Sequence, residues 1–187
     1  MKFIKKIGFS LFSVFLCYHS FNLIVRLMHS QPNDFSDIDF VIMSFILCLF
    51  ITGIFAFPGF VFPTNRIIGK SYYKLKNPNR LKKIYKHLGL RYFRKFLLIF
   101  FWGFKKNRKK YFSGNRAGIY NFIYQTKQSE FGHLGALVVI FIVSIALAIK
   151  GYLLMVLLMM IINVIGNFYP IILQRYHRVR LSKIMSN

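Results

Sequence analysis

Long apolar runs, separated by polar and basic segments, dominate the chain. A helix needs about 20 mostly apolar residues to cross the hydrocarbon core of a bilayer. Four runs are that long, and we predict spans at residues 7–28, 40–62, 131–149 and 152–173. A fifth run, residues 96–104, is too short to span and contains Trp102, as is typical of an element in the membrane interface. The pattern predicts an all-α integral membrane protein with about four transmembrane helices, forming a single membrane domain over residues 1–187.

The first run has the features of either a transmembrane helix or a signal peptide, because a short basic stretch precedes it. No pair of small residues stands at a cleavage position, and Leu16 precedes Cys17, where a lipoprotein site would have a small residue. Arg26 lies near the end of the run, from where its side chain can extend to the interface. We therefore expect an uncleaved first helix.

Composition excludes several classes of protein. The chain has 187 residues, 56% of them hydrophobic, and a formal net charge of +23. Disordered chains are poor in apolar and aromatic residues, and two cysteines inside apolar runs do not make a secreted disulfide scaffold. A nucleic-acid-binding protein would explain the charge but not the apolar runs, so no nucleic acid partner is expected.

The positions of the basic residues predict the topology. Of the 27 Lys and Arg, three lie in the amino-terminal tail, eighteen in residues 63–130 and four in the carboxyl-terminal tail. The loop of residues 30–39 has none and contains all three aspartates. The positive-inside rule then places both termini and the basic segment in the cytoplasm of a multi-pass membrane protein.

The basic segment contains a predicted amphipathic helix. Asn77 and Pro78 have the pattern of a helix start, and Gly89 is a plausible stop. One face is apolar, formed by Leu81, Ile84, Tyr85 and Leu88, whereas the rest is basic and includes Arg80, Lys82, Lys83 and Lys86. We expect this helix and the basic residues 105–110 to hold the segment on anionic membrane lipid. The alternative for part of residues 105–110 is that they bind a polyanionic substrate such as the phosphates of coenzyme A.

One pair of residues suggests chemistry. Glu130, the only glutamate, lies at the cytoplasmic mouth of the third predicted span, and His133 follows on the same helix face. A carboxylate one turn from an imidazole can orient it as a general base. The alternative is an ion pair at the membrane interface, because Glu-x-x-His alone is a weak signal.

A stripe of amides in the fourth predicted span strengthens the case for a site. Asn163, Asn167 and Gln174 lie within about 40° of one another on a helix. A tight turn at Lys150 and Gly151 makes spans three and four an antiparallel hairpin, in which residues whose numbers add up to about 301 lie at equal depth. His133 then matches position 168 and Glu130 matches position 171. The alternative for the two asparagines is helix packing alone.

No metal site is predicted. A zinc ion held by Glu130, His133 and His177 is geometrically possible, but these residues have no spacing dedicated to a metal. The sequence also has no phosphate-binding loop, dinucleotide fingerprint or nucleophile elbow.

Two stretches resemble a known family. Residues 123–133 (IYQTKQSEFGH) and 167–181 (NFYPIILQRYHRVRL) are similar to the glycosyl-4,4′-diaponeurosporenoate acyltransferases, small bacterial membrane proteins of carotenoid synthesis. The resemblance covers about residues 100–184. It implies transfer of a fatty acyl group from an acyl thioester to a sugar hydroxyl of a glycosylated carotenoid, with acyl-CoA as co-substrate and no other cofactor.

The resemblance also implies roles for individual residues. Glu130 and His133 would be catalytic, and Gln174, Arg175 and Arg178 would bind substrate. We also expect Asn163 and Asn167 to bind substrate, because of their position in the amide stripe and not because of the resemblance. His177 stands where family members often have asparagine, so we do not expect it to be essential.

Two other interpretations of the function remain open. One is a non-catalytic accessory or assembly subunit, whose polar hairpin face docks other membrane proteins of the pathway. The other is an enzyme that acylates a different glycolipid. The partners expected for the catalytic reading are membrane lipid, the acyl-CoA donor and the glycosylated acceptor.

Overall fold

Helices make up the elements of the computed structural model, which describes residues 2–100 and 116–185. The α-helices are α1 (Lys2–His29), α2 (Asp37–Gly59), α3 (Pro78–His87), α4 (Leu90–Phe100), α5 (Arg116–Ile149), α6 (Leu153–Asn163) and α7 (Tyr169–Met185). A π-helical turn, Val164–Phe168, connects α6 to α7, and short 3₁₀ helices occur at Pro32–Asp34 and Thr64–Arg66. These described ranges contain no strand, so the predicted all-α class is confirmed.

Four helical stretches are long and apolar enough to cross a membrane, as predicted. They are Phe3–His29, Asp37–Gly59, Gly118–Ile149 and Leu153–Ser182. The largest difference from prediction is in α5, which begins at Arg116 rather than near residue 131. Residues 116–130 are too polar to form part of an apolar run, so the predicted span did not include them. No proline interrupts α5, so this polar part continues the same helix.

The contacts divide the chain into two compact units, which are described separately. The first unit comprises Met1–Thr64 and Phe131–Phe168. Its core is aliphatic and includes Leu27, Leu47, Ile51, Ile140 and Met159. Hydroxyl groups connect the helices inside this core, because a backbone carbonyl is the available acceptor where water is absent.

Three such contacts define how the helices of the first unit pack. The hydroxyl of Ser44 donates to the carbonyl of Met155 over 3.2 Å, and that of Tyr152 donates to the carbonyl of Leu27 over 2.9 Å. The Ser13 hydroxyl donates to the carbonyl of Ile54 over 2.9 Å. Gly151 has a φ of +87°, a conformation that favours glycine and allows the tight turn predicted between α5 and α6.

The second unit comprises Asn65–Glu130 and Tyr169–Asn187. Tyr169 holds α3 and α4 against α7: its hydroxyl donates to the carbonyl of Leu88 over 2.9 Å, and its ring stacks on Phe93 with centroids 5.1 Å apart. Between α3 and α4, Gly89 has a φ of +70°, which confirms the stop predicted there.

The predicted amphipathic helix is present as α3, with two differences. Asn77 precedes the first helical residue as expected, but its side chain makes no capping hydrogen bond and its φ is 51°. Of the predicted apolar face, Tyr85 is buried, whereas Ile84 and Leu88 are exposed. The interfacial run of residues 96–104 lies only partly in α4, and its remainder, like the basic residues 105–110, is outside the described residues.

Candidate functional site

The residues singled out in the sequence come together in two groups, one within each unit. The first, the His133 cluster, consists of Thr52, His133, Asn163 and Asn167. The second, the Glu130 cluster, consists of Thr126, Glu130, Arg175 and Arg178. Both clusters combine a residue of α5 with residues of the segment that follows the turn at Gly151.

The His133 cluster is a chain of hydrogen bonds between uncharged groups. The Nδ1 atom of His133 lies 3.0 Å from Oδ1 of Asn167. Nδ2 of Asn167 donates to Oδ1 of Asn163 over 3.0 Å, and Nδ2 of Asn163 donates to the carbonyl of Leu137 over 3.1 Å. Each asparagine is only 1% exposed. Their amides therefore satisfy one another where unpaired polar groups would be costly.

The carbonyl at the end of this chain determines its direction. A backbone carbonyl can only accept, so Asn163 must point its NH₂ group at Leu137 and its oxygen at Asn167. Asn167 must then point its NH₂ group at Asn163 and its oxygen at His133. An amide oxygen also only accepts, so Nδ1 of the imidazole carries a proton. In the neutral ring, Nε2 is consequently left with its lone pair.

Thr52 of α2 is a further partner of Asn167, and nothing in the sequence singled it out. Its Oγ1 accepts from Nδ2 of Asn167 over 3.2 Å and lies 3.4 Å from the Oδ1 atom. A threonine inside an apolar span is too common to indicate a site. Only the packing of α2 against the other helices of this unit shows that it supports the amide.

Two glycines allow α5 to approach α2 closely, and sequence reasoning missed both. A Cβ atom at Gly132 would lie 3.3 Å from the carbonyl oxygen of Phe55, and one at Gly135 would lie 2.4 Å from the Phe55 ring. These glycines flank His133 in sequence. The close approach brings Thr52, one turn before Phe55 on α2, within reach of the amide network.

A π-helical turn contains Asn167. Pro170 has no N–H to donate to the carbonyl of Gly166, four residues earlier, and a proline at this position disturbs the regular helix. The π turn Val164–Phe168 lies directly before Pro170 in the chain, as this disturbance would produce.

The Glu130 cluster is charged and largely buried. Glu130 is fully buried, and its Oε1 atom accepts from Nε of Arg175 over 2.6 Å, while its Oε2 atom accepts from Nη2 of Arg178. Arg178 is 4% exposed and also contacts the hydroxyl of Thr126, whereas the Arg175 side chain is 31% exposed. One carboxylate faces two guanidinium groups, so the cluster has a net charge of +1.

Two tyrosines before α3 complete the surroundings of the arginines. The guanidinium carbon of Arg175 lies 4.8 Å from the centre of the Tyr72 ring, and that of Arg178 lies 5.7 Å from the Tyr73 ring. Burial and the negative charge of Glu130 raise the pKa of Tyr73 to about 12, and the same causes raise the pKa of Tyr72. Both phenols are therefore neutral at physiological pH.

The observed pairs correct one prediction of the hairpin register. His133 and Asn167, like Leu137 and Asn163, have numbers that add up to 300, close to the predicted 301. Glu130 was expected to match position 171, between Asn167 and Gln174, but it pairs with Arg175 and Arg178. The prediction assumed an equal rise per residue in both helices. The π-helical turn accommodates extra residues per turn, which moves later partners further along the chain.

The remaining predicted residues have distinct positions. Gln174 donates from Nε2 to the hydroxyl of Ser129 over 3.1 Å. His177 lies against the ring of Phe122, with centroids 5.5 Å apart. Over the part of the chain that the structure describes, no three His, Cys, Asp or Glu side chains gather as they would around a metal ion.

The fold and these clusters define a class, a helical protein with four helices long and apolar enough to cross a membrane and two clusters of buried polar groups. A family model described as CrtO, glycosyl-4,4′-diaponeurosporenoate acyltransferase, matches residues 69–187. Since this match covers more than half of the chain, the protein belongs to that family of carotenoid-pathway acyltransferases, as the two sequence stretches predicted. The match begins well before residue 100 and includes Tyr72, Tyr73, α3 and α4. No curated protein and no solved structure matches the chain.

Proposed function

We propose that the protein transfers a fatty acyl group from acyl-CoA to a sugar hydroxyl of a glycosylated carotenoid or a similar glycolipid, at the cytoplasmic face of the membrane. The observation that carries the proposal is the hydrogen-bond chain from His133 to the carbonyl of Leu137. A ring that carries its proton on Nδ1 has a basic Nε2 atom, which is the atom that a general base requires.

In the proposed reaction, Nε2 of His133 takes the proton of the sugar hydroxyl. The hydroxyl oxygen attacks the thioester carbonyl carbon, the carbon–sulfur bond breaks, and the thiolate leaves with the electron pair of that bond. The proton on Nε2 then passes to the leaving sulfur, which restores the neutral ring. No cofactor or metal is needed for these steps.

The contacts suggest a division of roles among the predicted site residues. Asn167 is a positioning residue, because its amide hydrogens are engaged by Asn163 and Thr52 and its oxygen holds His133. Glu130 has both carboxylate oxygens bound by arginines, so its role is to hold those arginines. The net positive charge of that cluster would attract an anionic acyl donor.

Product analysis tests the proposal. Purified protein in detergent would be given labelled acyl-CoA and a panel of lipid-linked sugars that includes a glycosylated carotenoid. We expect label on a sugar lipid, and a loss of at least about 10²-fold in rate for His133→Ala, the usual range for a missing general base. His19→Ala is the matched control, because His19 is exposed on α1.

Two results would contradict the proposal. Full activity of a folded His133→Ala protein would remove the general base from the mechanism. Absence of transfer to every acceptor by a folded wild-type protein would favour the alternative, a non-catalytic accessory subunit of a membrane complex.

A further inference from the structure

A basic pocket lies within the second unit and takes no part in the mechanism above. It has a volume of about 780 Å³ and is lined by residues of α3, α4 and α7. Five of these are cations: Lys82, Lys83, Lys86, Arg91 and Arg94. The volume is in the range of ligand sites for molecules of nucleotide size.

The positive charges of the pocket have no acidic partner in their own unit. Residues 65–130 contain eighteen of the 27 Lys and Arg and residues 169–187 contain four, yet Glu130 is the only acidic residue in either range. Both oxygens of Glu130 are already bound by Arg175 and Arg178. Lys82 and Lys86 are also four residues apart on α3, a spacing at which like charges repel. An anion from outside the unit would relieve this repulsion.

The walls of the pocket are ordered by packing. Tyr85 and Leu90 are 5% and 2% exposed and give the pocket an apolar floor. Arg94 donates from Nη1 to the hydroxyl of Tyr176 over 3.3 Å, and its guanidinium carbon lies 5.1 Å from the centre of that ring. A guanidinium held in this way loses little freedom when it binds an anion, whereas a solvated side chain must first be ordered.

The pocket also adjoins the Glu130 cluster. Tyr85 lines the pocket and interacts electrostatically with Arg175, the more exposed arginine of the pair. The positive charge of that guanidinium therefore adds to the charges that line the pocket.

We propose that this pocket binds the phosphate-bearing head of the acyl donor, a ligand with several phosphate groups of the kind that coenzyme A carries. The inference rests on the proposed function for the identity of the ligand. Arginine offers a planar fork to phosphate oxygens and lysine a compact charge, so five cations around one apolar-floored pocket suit several phosphates. A single lipid phosphate would leave most of these cations without a partner.

A binding experiment tests the pocket directly. Full-length protein in nanodiscs of phosphatidylcholine would be titrated with coenzyme A and with pantetheine, which lacks the nucleotide phosphates. We expect coenzyme A to bind and pantetheine to bind at least about tenfold more weakly, because charge-assisted contacts to phosphate are lost. Lys82→Gln/Lys86→Gln should weaken coenzyme A binding at least about tenfold and make it less sensitive to salt.

The control is Lys74→Gln/Lys76→Gln, which removes the same charge from exposed positions in the same unit that do not line the pocket. Affinity for coenzyme A should change less than about threefold in this variant, as expected of screened surface charges. If both double variants weakened coenzyme A binding equally, the proposal would be overturned, because binding would then depend on the total charge of the unit and not on the pocket.

Other outcomes separate this inference from the proposed function. Absence of coenzyme A binding by the wild type would overturn the pocket assignment. So would a double variant that binds coenzyme A normally but loses binding to phosphatidylglycerol vesicles, since the pocket would then hold a lipid headgroup. Transfer from acyl-pantetheine as fast as from acyl-CoA would overturn the pocket and keep the acyltransferase. If only the pocket variant weakens coenzyme A binding and the wild type transfers no acyl group to any acceptor, the pocket assignment is kept and the acyltransferase is overturned.

Discussion

The two clusters use opposite ways of burying polar groups. In the His133 cluster, uncharged amides and a hydroxyl satisfy one another and end on a backbone carbonyl. In the Glu130 cluster, one carboxylate holds two guanidinium groups, and the charges are not balanced. Burying neutral amides costs little once they are paired, whereas burying ions costs several kcal/mol each. The difference indicates that the first cluster sets an orientation and the second maintains a positive charge.

The largest effect should come from removing the carboxylate. Glu130→Gln leaves Arg178 buried with no anionic partner, which typically costs about 3–5 kcal/mol of stability. We expect a large loss of thermal stability in detergent. The control Asp37→Asn removes a carboxylate from an exposed helix start and should cost less than about 1 kcal/mol. Equal stability of Glu130→Gln and wild type would mean that the charge imbalance is compensated by groups other than Glu130.

The amide chain should affect rate more than stability. Asn167→Leu removes the acceptor that holds Nδ1 of His133, so both tautomers of the ring become populated. We expect kcat to fall about 10²-fold with little change in KM, as for a misplaced catalytic group. Asn121→Leu, an exposed position on α5, is the matched control.

The tautomer itself can be measured. The ¹⁵N shifts of the His133 ring should show the proton on Nδ1 in the wild type and a mixture in Asn167→Leu. An unchanged ring signal in a slow Asn167→Leu enzyme would assign the amide a different role, such as contact with the substrate.

The close packing of α2 against α5, beside the His133 cluster, should be sensitive to one added methyl group. Gly132→Ala would place Cβ 3.3 Å from the carbonyl oxygen of Phe55, so α2 and α5 must separate slightly. We expect a loss of about 1–3 kcal/mol in stability, the usual cost of overpacking. Gly8→Ala is the control, because no atom lies within 4 Å of the added methyl and alanine favours a helix. A Gly132→Ala protein as stable as Gly8→Ala would show that this contact is not tight.

The smallest effect should appear only at alkaline pH. The pKa of Tyr73 is raised to about 12 in the folded protein, against about 10 in an unfolded chain. The neutral phenol therefore contributes stability that is complete below pH 10 and is lost as the pH rises toward 12. Tyr73→Phe should match the wild type at pH 7 and lose less stability in that alkaline range. Identical alkaline unfolding of the two proteins would contradict this assignment of the pKa.

The sequence predicted the helical fold and several of the residues that gather in the two clusters, but not the contacts between their atoms. Glu130, His133 and Asn167 were singled out because polar residues stand out in or beside apolar runs, and Arg175 and Arg178 were singled out through the family resemblance. The partner predicted for His133 was Glu130, whereas in the structure Nδ1 of His133 contacts Oδ1 of Asn167. Sequence spacing along one helix was visible, but contacts between helices depend on a register that the π turn changes.

Residues that make no local pattern were out of reach for the same reason. Thr52 and Gly132 look ordinary in apolar segments, and their roles follow from the close packing of α2 and α5. Tyr72 and Tyr73 precede α3 in a basic stretch, where nothing in the spacing indicates that they cover two arginines.

The amino-acid sequence by itself determined the number of spans, the helical class, the asymmetry of charge and the family. These properties follow from length, hydropathy and local motifs, each of which acts within a single segment of the chain. Only the tertiary structure decided which atoms meet: the arginines on Glu130, the amide on His133 and the cations around one pocket. Such contacts depend on helix register and on approach distances, and a single π-helical turn or a glycine is enough to change both.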